Sequence, residues 1–233
     1  MKVAVFWSGG KESCLAYHKA VEQGHEVAYL LTFAYADPYI FHNFLLMALA
    51  SKTLGIPQIT VKMRPHVDRY QDMLEALARL QKEEGIEGFV TGDIAGGGCA
   101  LVHQVYYEQM CKELGMELVM PLENPSGDRY QLLYEEVTSG LRPIINCLNA
   151  KYFGEEWLGR EIDKDCINDL KTLADKQKID ACGEDGRGYH TMVIDAPGYK
   201  ESLEITKFTK KRQDFWLYMD IEEAVLRPKK QRP

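Results

Sequence analysis

Val3-Ala4-Val5-Phe6-Trp7-Ser8-Gly9-Gly10-Lys11-Glu12-Ser13 stands near the N-terminus and decides how the rest is read. Val3 to Trp7 is a short apolar run of the kind a fully buried strand needs. A helical pattern follows from Cys14 to Gln23 and stops at Gly24. A strand turning tightly into a helix gathers free backbone N–H groups at one point. The helix dipole adds partial positive charge there, and Lys11 adds a full one. Adjacent glycines let the backbone come close to a bulky anion. The stretch reads as a phosphate site, with Ser8, Gly9, Gly10, Lys11 and Ser13 as its binding residues; the plain alternative is a glycine turn capped by Ser8. It lacks the spacer of Gly-x-x-x-x-Gly-Lys-Ser/Thr and the Gly-x-Gly-x-x-Gly of dinucleotide sites.

Working outward, strands and helices alternate through the first half. His25 to Phe33, Ile59 to Met63, Ile86 to Ile94 and Leu118 to Met120 read as strands. Phe41 to Leu54, Asp68 to Glu84 and Ala100 to Leu114 read as helices, stopped by Gly55, Gly85 and Gly115. Such alternation predicts an α/β fold with a Rossmann-like parallel sheet covered by helices on both faces. The rhythm then breaks. Helices are expected over Tyr130 to Ser139 and Asp163 to Lys176, with a short turn at Glu155 to Leu158. Strands are expected over Pro143 to Leu148, Met192 to Asp195, Ser202 to Phe208 and Phe215 to Asp220. The expected division is a nucleotide-binding domain over 1–125 and a smaller α+β substrate domain over 126–233.

The chain has 233 residues, enough for a substantial core, and a net charge of −7. That balance argues against a protein living on nucleic acid, because phosphate contacts need clustered Lys and Arg. The basic runs Lys207 to Arg212 and Arg227 to Arg232 read as solvated surface. The cysteines at 14, 99, 111, 147, 166 and 182 form no Cys-x-x-Cys, so neither a zinc knuckle nor a dithiol motif is indicated. No signal peptide or long apolar segment is seen, and a reducing, cytoplasmic setting is expected, with thiols serving as small core residues.

Two further places carry chemistry. Gly92-Asp93 ends the fourth strand, at the sheet edge where the first loop also lies. A carboxylate there can hold Mg2+ against nucleotide phosphates, although it equally suits a helix N-cap. Glu12 is a second metal candidate, or a favourable charge at the helix N-terminus. The glycine-dense loop Cys182 to Thr191 packs acids, an arginine and a histidine beside a strand. Its Glu184, His190 and Thr191 are candidates to bind substrate or act as acid and base; a hairpin turn with spare polar residues is the bland reading. His42 follows the second strand and either faces the ligand edge or caps a helix.

Ser8-Gly9-Gly10-Lys11-Glu12-Ser13 resembles the pyrophosphate loop Ser-Gly-Gly-Lys-Asp-Ser of the N-type ATP pyrophosphatases. Glu87 to Ile94, Glu156-Trp157-Leu158-Gly159-Arg160, and Cys182 to Thr191 with Asp195-Ala196-Pro197 narrow the resemblance to the diphthine–ammonia ligase family. These segments span nearly the whole chain in the family's order. The resemblance implies a sheet of the adenine nucleotide alpha hydrolase type, with ATP and Mg2+ as cofactors. It implies a ligase that adenylates a carboxylate, releases pyrophosphate and lets ammonia displace AMP, with elongation factor 2 carrying the diphthine acceptor. By the same match Lys11, Glu184 and His190 are the implied catalytic residues. Gly92 and Asp93 join the nucleotide site, and Tyr189 joins Glu184, His190 and Thr191 at the substrate. A homo-oligomer is compatible with this. The chain departs from the family where Glu12 replaces aspartate, where Arg187-Gly188 stands in place of a glutamate, and where Glu123 replaces tryptophan. Two other readings are a tRNA-modifying enzyme with the same loop and an ATP-binding module without turnover. From sequence, Lys11→Ala is expected to abolish adenylation and leave the fold intact.

Overall fold

The structure, a computed structural model, describes residues 1–34, 40–94, 100–122, 128–180 and 187–229, with backbone only at 100–102. The first half forms β1 (Lys2–Phe6), α1 (Lys11–Glu22), β2 (Glu26–Ala34), α2 (Phe44–Leu54), β3 (Gln58–Lys62), α3 (Arg69–Glu84), β4 (Gly88–Val90), α4 (Ala100–Leu114) and β5 (Glu117–Val119). The second half adds α5 (Arg129–Thr138), β6 (Arg142–Asn149), α6 (Lys164–Gln177), β7 (Tyr189–Asp195), β8 (Glu201–Gln213) and β9 (Trp216–Pro228).

The first five strands form one sheet in the order β3-β2-β1-β4-β5, and every pairing in it is parallel. Because successive side chains of a strand point to opposite faces, β1 divides its apolar run between two cores. Val3 and Val5 pack with Leu15, Ala16 and Ala20 of α1 and Met47 of α2. Ala4 packs on the opposite face with Met73, Leu77 and Leu80 of α3 and Met110 of α4.

The other four strands form a second sheet, β7-β6-β9-β8, in which every pairing is antiparallel. Its buried residues Met192, Val193 and Leu203, with Tyr199 between β7 and β8, belong to the same cluster as α1 and α2. The two sheets therefore share one apolar core across the α1/α2 layer.

Several element ends differ from expectation. The helix after the first loop starts at Lys11, not Cys14, because the glycine turn is complete at Gly10. Phe41 and His42 precede α2, which Asn43 caps by accepting from the N–H of Leu46 at 3.1 Å; His42 does not serve as the cap. Tyr189, His190 and Thr191 lie within β7 rather than in a loop, since they pair with Leu148, Cys147 and Ile145 of β6. The last two strands run 13 residues each and pair from Glu201↔Pro228 to Gln213↔Trp216. Their polar outer halves hide that length from a hydrophobicity pattern.

Candidate functional site

The site begins at the point where the parallel sheet changes direction. β1 leads through α1 to β2 on one side, while its neighbour β4 leads through α4 to β5 on the other. The loops leaving β1 and β4 therefore diverge and leave a crevice at the strands' carboxyl ends, where open α/β sheets bind ligands. The loop after β1 is Trp7 to Gly10; the one after β4 starts Thr91-Gly92-Asp93.

Neighbouring backbone fixes the first loop. The buried Thr32 hydroxyl donates to the Trp7 carbonyl at 2.7 Å. Ser8 Oγ accepts from the Gly10 N–H at 3.3 Å and donates to Ser13 Oγ at 3.0 Å, and Ser13 Oγ donates on to the Gly10 carbonyl at 3.1 Å. Gly9 sits at φ +71°, a left-handed conformation, and a Cβ there would lie 2.8 Å from Met192 Cε. Only glycine fits without strain.

The second sheet holds the other side of the loop. The Val193 N–H donates to the Gly9 carbonyl at 2.8 Å, and the Lys11 N–H donates to Thr191 Oγ1 at 3.1 Å. The loop is thus bonded along the edge of β7. Gly92 closes the opposite flank, where a Cβ would lie 2.8 Å from Glu12 C, Glu12 O and Ser13 N. Those are backbone atoms of the α1 first turn, so the β4 loop and the α1 N-terminus touch directly.

Helix caps single out this turn. Asn43, Asp68, Asp128 and Asp163 cap α2, α3, α5 and α6 through their side chains. At α1 the cap is Gly10, with no side-chain cap bond. The end of this 12-residue helix carries the partial positive charge that favours an anion, although its Lys11 N–H is already bonded to Thr191.

Lys11 is buried at this end, with 1 % of its surface exposed. Its ammonium pairs with Glu12 and lies 3.9 Å from Oε1 of Glu136 and 5.8 Å from the centre of the Tyr189 ring. Glu136 is fully buried on α5. Sequence reading missed it, although a signal exists: it shares the helical face of Leu132 and Leu133, a position otherwise apolar. Asp93 accepts from the Thr91 hydroxyl, and its Oδ1 lies 3.3 Å from Nδ1 of His103 on α4. His103 carried no spacing that could have found it.

On the opposite side of β7, His190 joins Phe41, His42 and Trp216. Its ring centre is 4.3 Å from Phe41, 5.4 Å from Trp216 and 5.7 Å from His42. Burial, helped by the neighbouring His42 and Lys11, pulls the His190 imidazole down to about 3. Burial alone pulls His42 down to about 4. Both rings are neutral at physiological pH.

The structure therefore brings together Ser8, Gly9, Gly10, Lys11, Glu12, Ser13, Gly92, Asp93, Tyr189 and Thr191, and sets His190 on the other face of β7. Glu184 lies outside the described residues, as do Gly96-Gly97-Gly98, Glu123, Cys99 and Cys182. Thr191 spends its hydroxyl on the loop backbone. The Glu156-to-Arg160 motif is a brace: the Gly159 N–H donates to the Ile145 carbonyl at 2.7 Å, and Arg160 stacks 4.8 Å above Trp157. The thiols of Cys14, Cys111, Cys147 and Cys166 are free and buried. Among the described residues no group of three or more His, Cys, Asp or Glu is placed to hold a metal. No helix there is long and apolar enough to cross a membrane.

Comparison with known proteins matches residues 1–118 to the family model described as the diphthamide synthase N-terminal domain, and residues 128–226 to the diphthamide synthase C-terminal domain. The chain is 25 % identical over 227 residues to the diphthine–ammonia ligase of Bos taurus, covering 87 % of this chain and 82 % of that one. It is 26 % identical over 230 residues to the Danio rerio protein of the same name, covering 88 % and 86 %. A solved structure titled a predicted subunit of tRNA methyltransferase, from Methanocaldococcus jannaschii, is 13 % identical at a TM-score of 0.45, covering 84 % of this chain and 97 % of that one.

Proposed function

The chain belongs to the diphthamide synthase family, and from that premise we propose that it is an ATP-dependent ligase joining ammonia to the carboxylate of diphthine on elongation factor 2. Its relatives are named for that reaction. The observation that carries the reading in this chain is the α1 turn. It has no side-chain cap, buries a lysine, and is held from both sides by Gly92 and β7.

A carboxylate oxygen of the acceptor attacks the α-phosphorus of ATP as the bond to pyrophosphate breaks. Ammonia then attacks the acyl carbon, AMP leaves, and a proton is lost to give the amide. Preorganised donors aimed at the developing charge of the leaving group provide much of such catalysis. In this reading the α1 dipole, Lys11 and the loop N–H groups other than those of Gly10 and Lys11, which bond Ser8 and Thr191, bind and neutralise pyrophosphate.

Magnesium takes one or two carboxylates and completes its shell with phosphate and water, and the donors here suit that sparse demand. Asp93 would hold it, with Glu12 as the second carboxylate once phosphate draws Lys11 away. When bound, the ion adds positive charge against the phosphates. With its imidazole held neutral, His190 is suited to line the acceptor as an uncharged ring rather than to donate a proton. Glu184 keeps its role as acid or base on the family match alone.

The test is nucleotide product analysis with ATP, magnesium, ammonium and elongation factor 2 stopped at diphthine. AMP, pyrophosphate and amide on the factor are expected. AMP without amide would point to a different acceptor, and bound ATP with no AMP would leave a binding module. Asp93→Asn should raise the magnesium concentration needed for half-maximal AMP formation roughly tenfold or more; an unchanged magnesium titration removes Asp93 from the metal site.

A further inference from the structure

Three aromatic rings meet beside the phosphate loop, on strands and a turn fixed by the fold. β6 pairs Cys147 with both His190 and Tyr218, and Asn149 with Trp216. Residues two apart along a strand share a face, so His190 and Trp216 stand on the same face of the second sheet. Phe41 reaches them from the other half of the chain. The buried Asn146 amide donates to the Phe41 carbonyl at 2.8 Å, which ties that turn to β6.

The Phe41 and Trp216 rings are 5.1 Å apart and 80° from parallel, and His190 is inclined 38° to Phe41 and 52° to Trp216. Rings set this way form a corner of π faces, and all three remain only partly buried. A corner of this kind suits a cation that has no N–H to give. Ring quadrupoles attract positive charge, and quaternary ammonium groups are recognised by aromatic side chains. The neutral state of His190 keeps the corner from repelling such a guest.

We propose that Phe41, His190 and Trp216 form the subsite for a quaternary ammonium group on the acceptor. The inference rests on the ligase reading above and deepens it. Diphthine bears a trimethylammonium on the carbon that carries its reacting carboxylate, so the cation must sit two bonds from the carbon being adenylated. Tyr189 and Thr191, the residues flanking His190, face the Lys11 ammonium and bond the Lys11 backbone. Met192 stands on the same face of β7 as His190, and a Cβ on Gly9 would lie 2.8 Å from its Cε, so the loop also borders the face that carries the three rings.

The experiment is calorimetric titration of the whole protein with 2-(trimethylammonio)butanoate and with the isostere that lacks only the cationic nitrogen, 2-tert-butylbutanoate. Each is titrated with and without saturating α,β-methylene-ATP, whose own affinity is measured in parallel. The cation should bind about tenfold tighter than the isostere, and the nucleotide should not displace it. Trp216→Leu and Phe41→Leu should each lose most of that preference at unchanged nucleotide affinity, and Trp216→Tyr should keep most of it. Equal binding of the two probes, binding of neither, or preference retained in both leucine variants overturns the proposal. Displacement by the nucleotide also overturns it and makes the corner a wall for the adenine base. Preference for the cation with no nucleotide binding would keep the subsite and remove the ligase reading, so the two failures are distinct.

Discussion

Lys11 shows how a residue can be foreseen in kind and misjudged in setting. Its place after two glycines marks it for phosphate, and in the structure it lies buried at the N-terminus of α1. The burial of Glu136 beside it argues that Lys11→Ala lowers stability as well as activity. Removing one partner of a buried ion pair is destabilising, by up to about 3–5 kcal/mol. Lys11→Ala should therefore lose AMP formation and unfold at lower urea. Adding Glu136→Gln should recover much of the stability and none of the activity, a contrast read by urea denaturation beside product analysis. Gly92 is constrained more simply. Gly92→Ala puts a methyl 2.8 Å from α1 backbone atoms, and overpacking of this kind costs about 1–3 kcal/mol. Because the atoms displaced belong to the phosphate turn, ATP affinity should fall along with the melting temperature; unchanged ATP affinity would mean that the turn tolerates the shift.

At the scale of elements, the α1 turn and β7 depend on each other. Thr191 supplies the hydroxyl that accepts from the Lys11 N–H, and both groups are buried. Thr191→Val keeps the shape and orphans that N–H, a loss of about 1–3 kcal/mol. ATP binding should weaken in the same variant while the strand stays paired, which calorimetry and amide exchange across β7 can test. The β8–β9 ribbon behaves differently. β8 is exposed over most of its length, and cross-strand pairs run along the ribbon, Arg227–Glu204 at 3.0 Å, Lys211–Asp220 at 2.5 Å and Lys207–Glu222. Exposed pairs contribute little to stability individually. The basic run expected as solvated surface from Lys207 to Arg212 lies here.

For the molecule as a whole, one core spans both sheets, so stability should respond as a unit to buried groups in either half. His18, His42 and His190 are pulled down by burial to about 4, about 4 and about 3. Once unfolded they titrate near 6.5 and take up protons that the folded state refuses. Stability is then fully present above pH 6.5 and is lost as pH falls toward 4. The melting temperature should drop by on the order of 10 °C between pH 7 and pH 5, above the range of ordinary carboxylates; a flat profile across that window would mean these imidazoles are not held neutral. The sequence by itself determined the parallel sheet, the helices on its two faces and the glycine turn that joins β1 to α1. Those depend on local periodicity and on glycines at a strand-to-helix turn, which are visible within a dozen residues. It also marked Gly92-Asp93, because a strand's end can be placed from its apolar run. Only the tertiary structure decided that Tyr189 to Thr191 belong to a strand, that Glu136 is the buried partner of Lys11, that His103 faces Asp93, and that Phe41, His190 and Trp216 share a corner. Each of those rests on contacts between segments far apart in the chain, and pairing register and burial are properties of the packed core that no local spacing records.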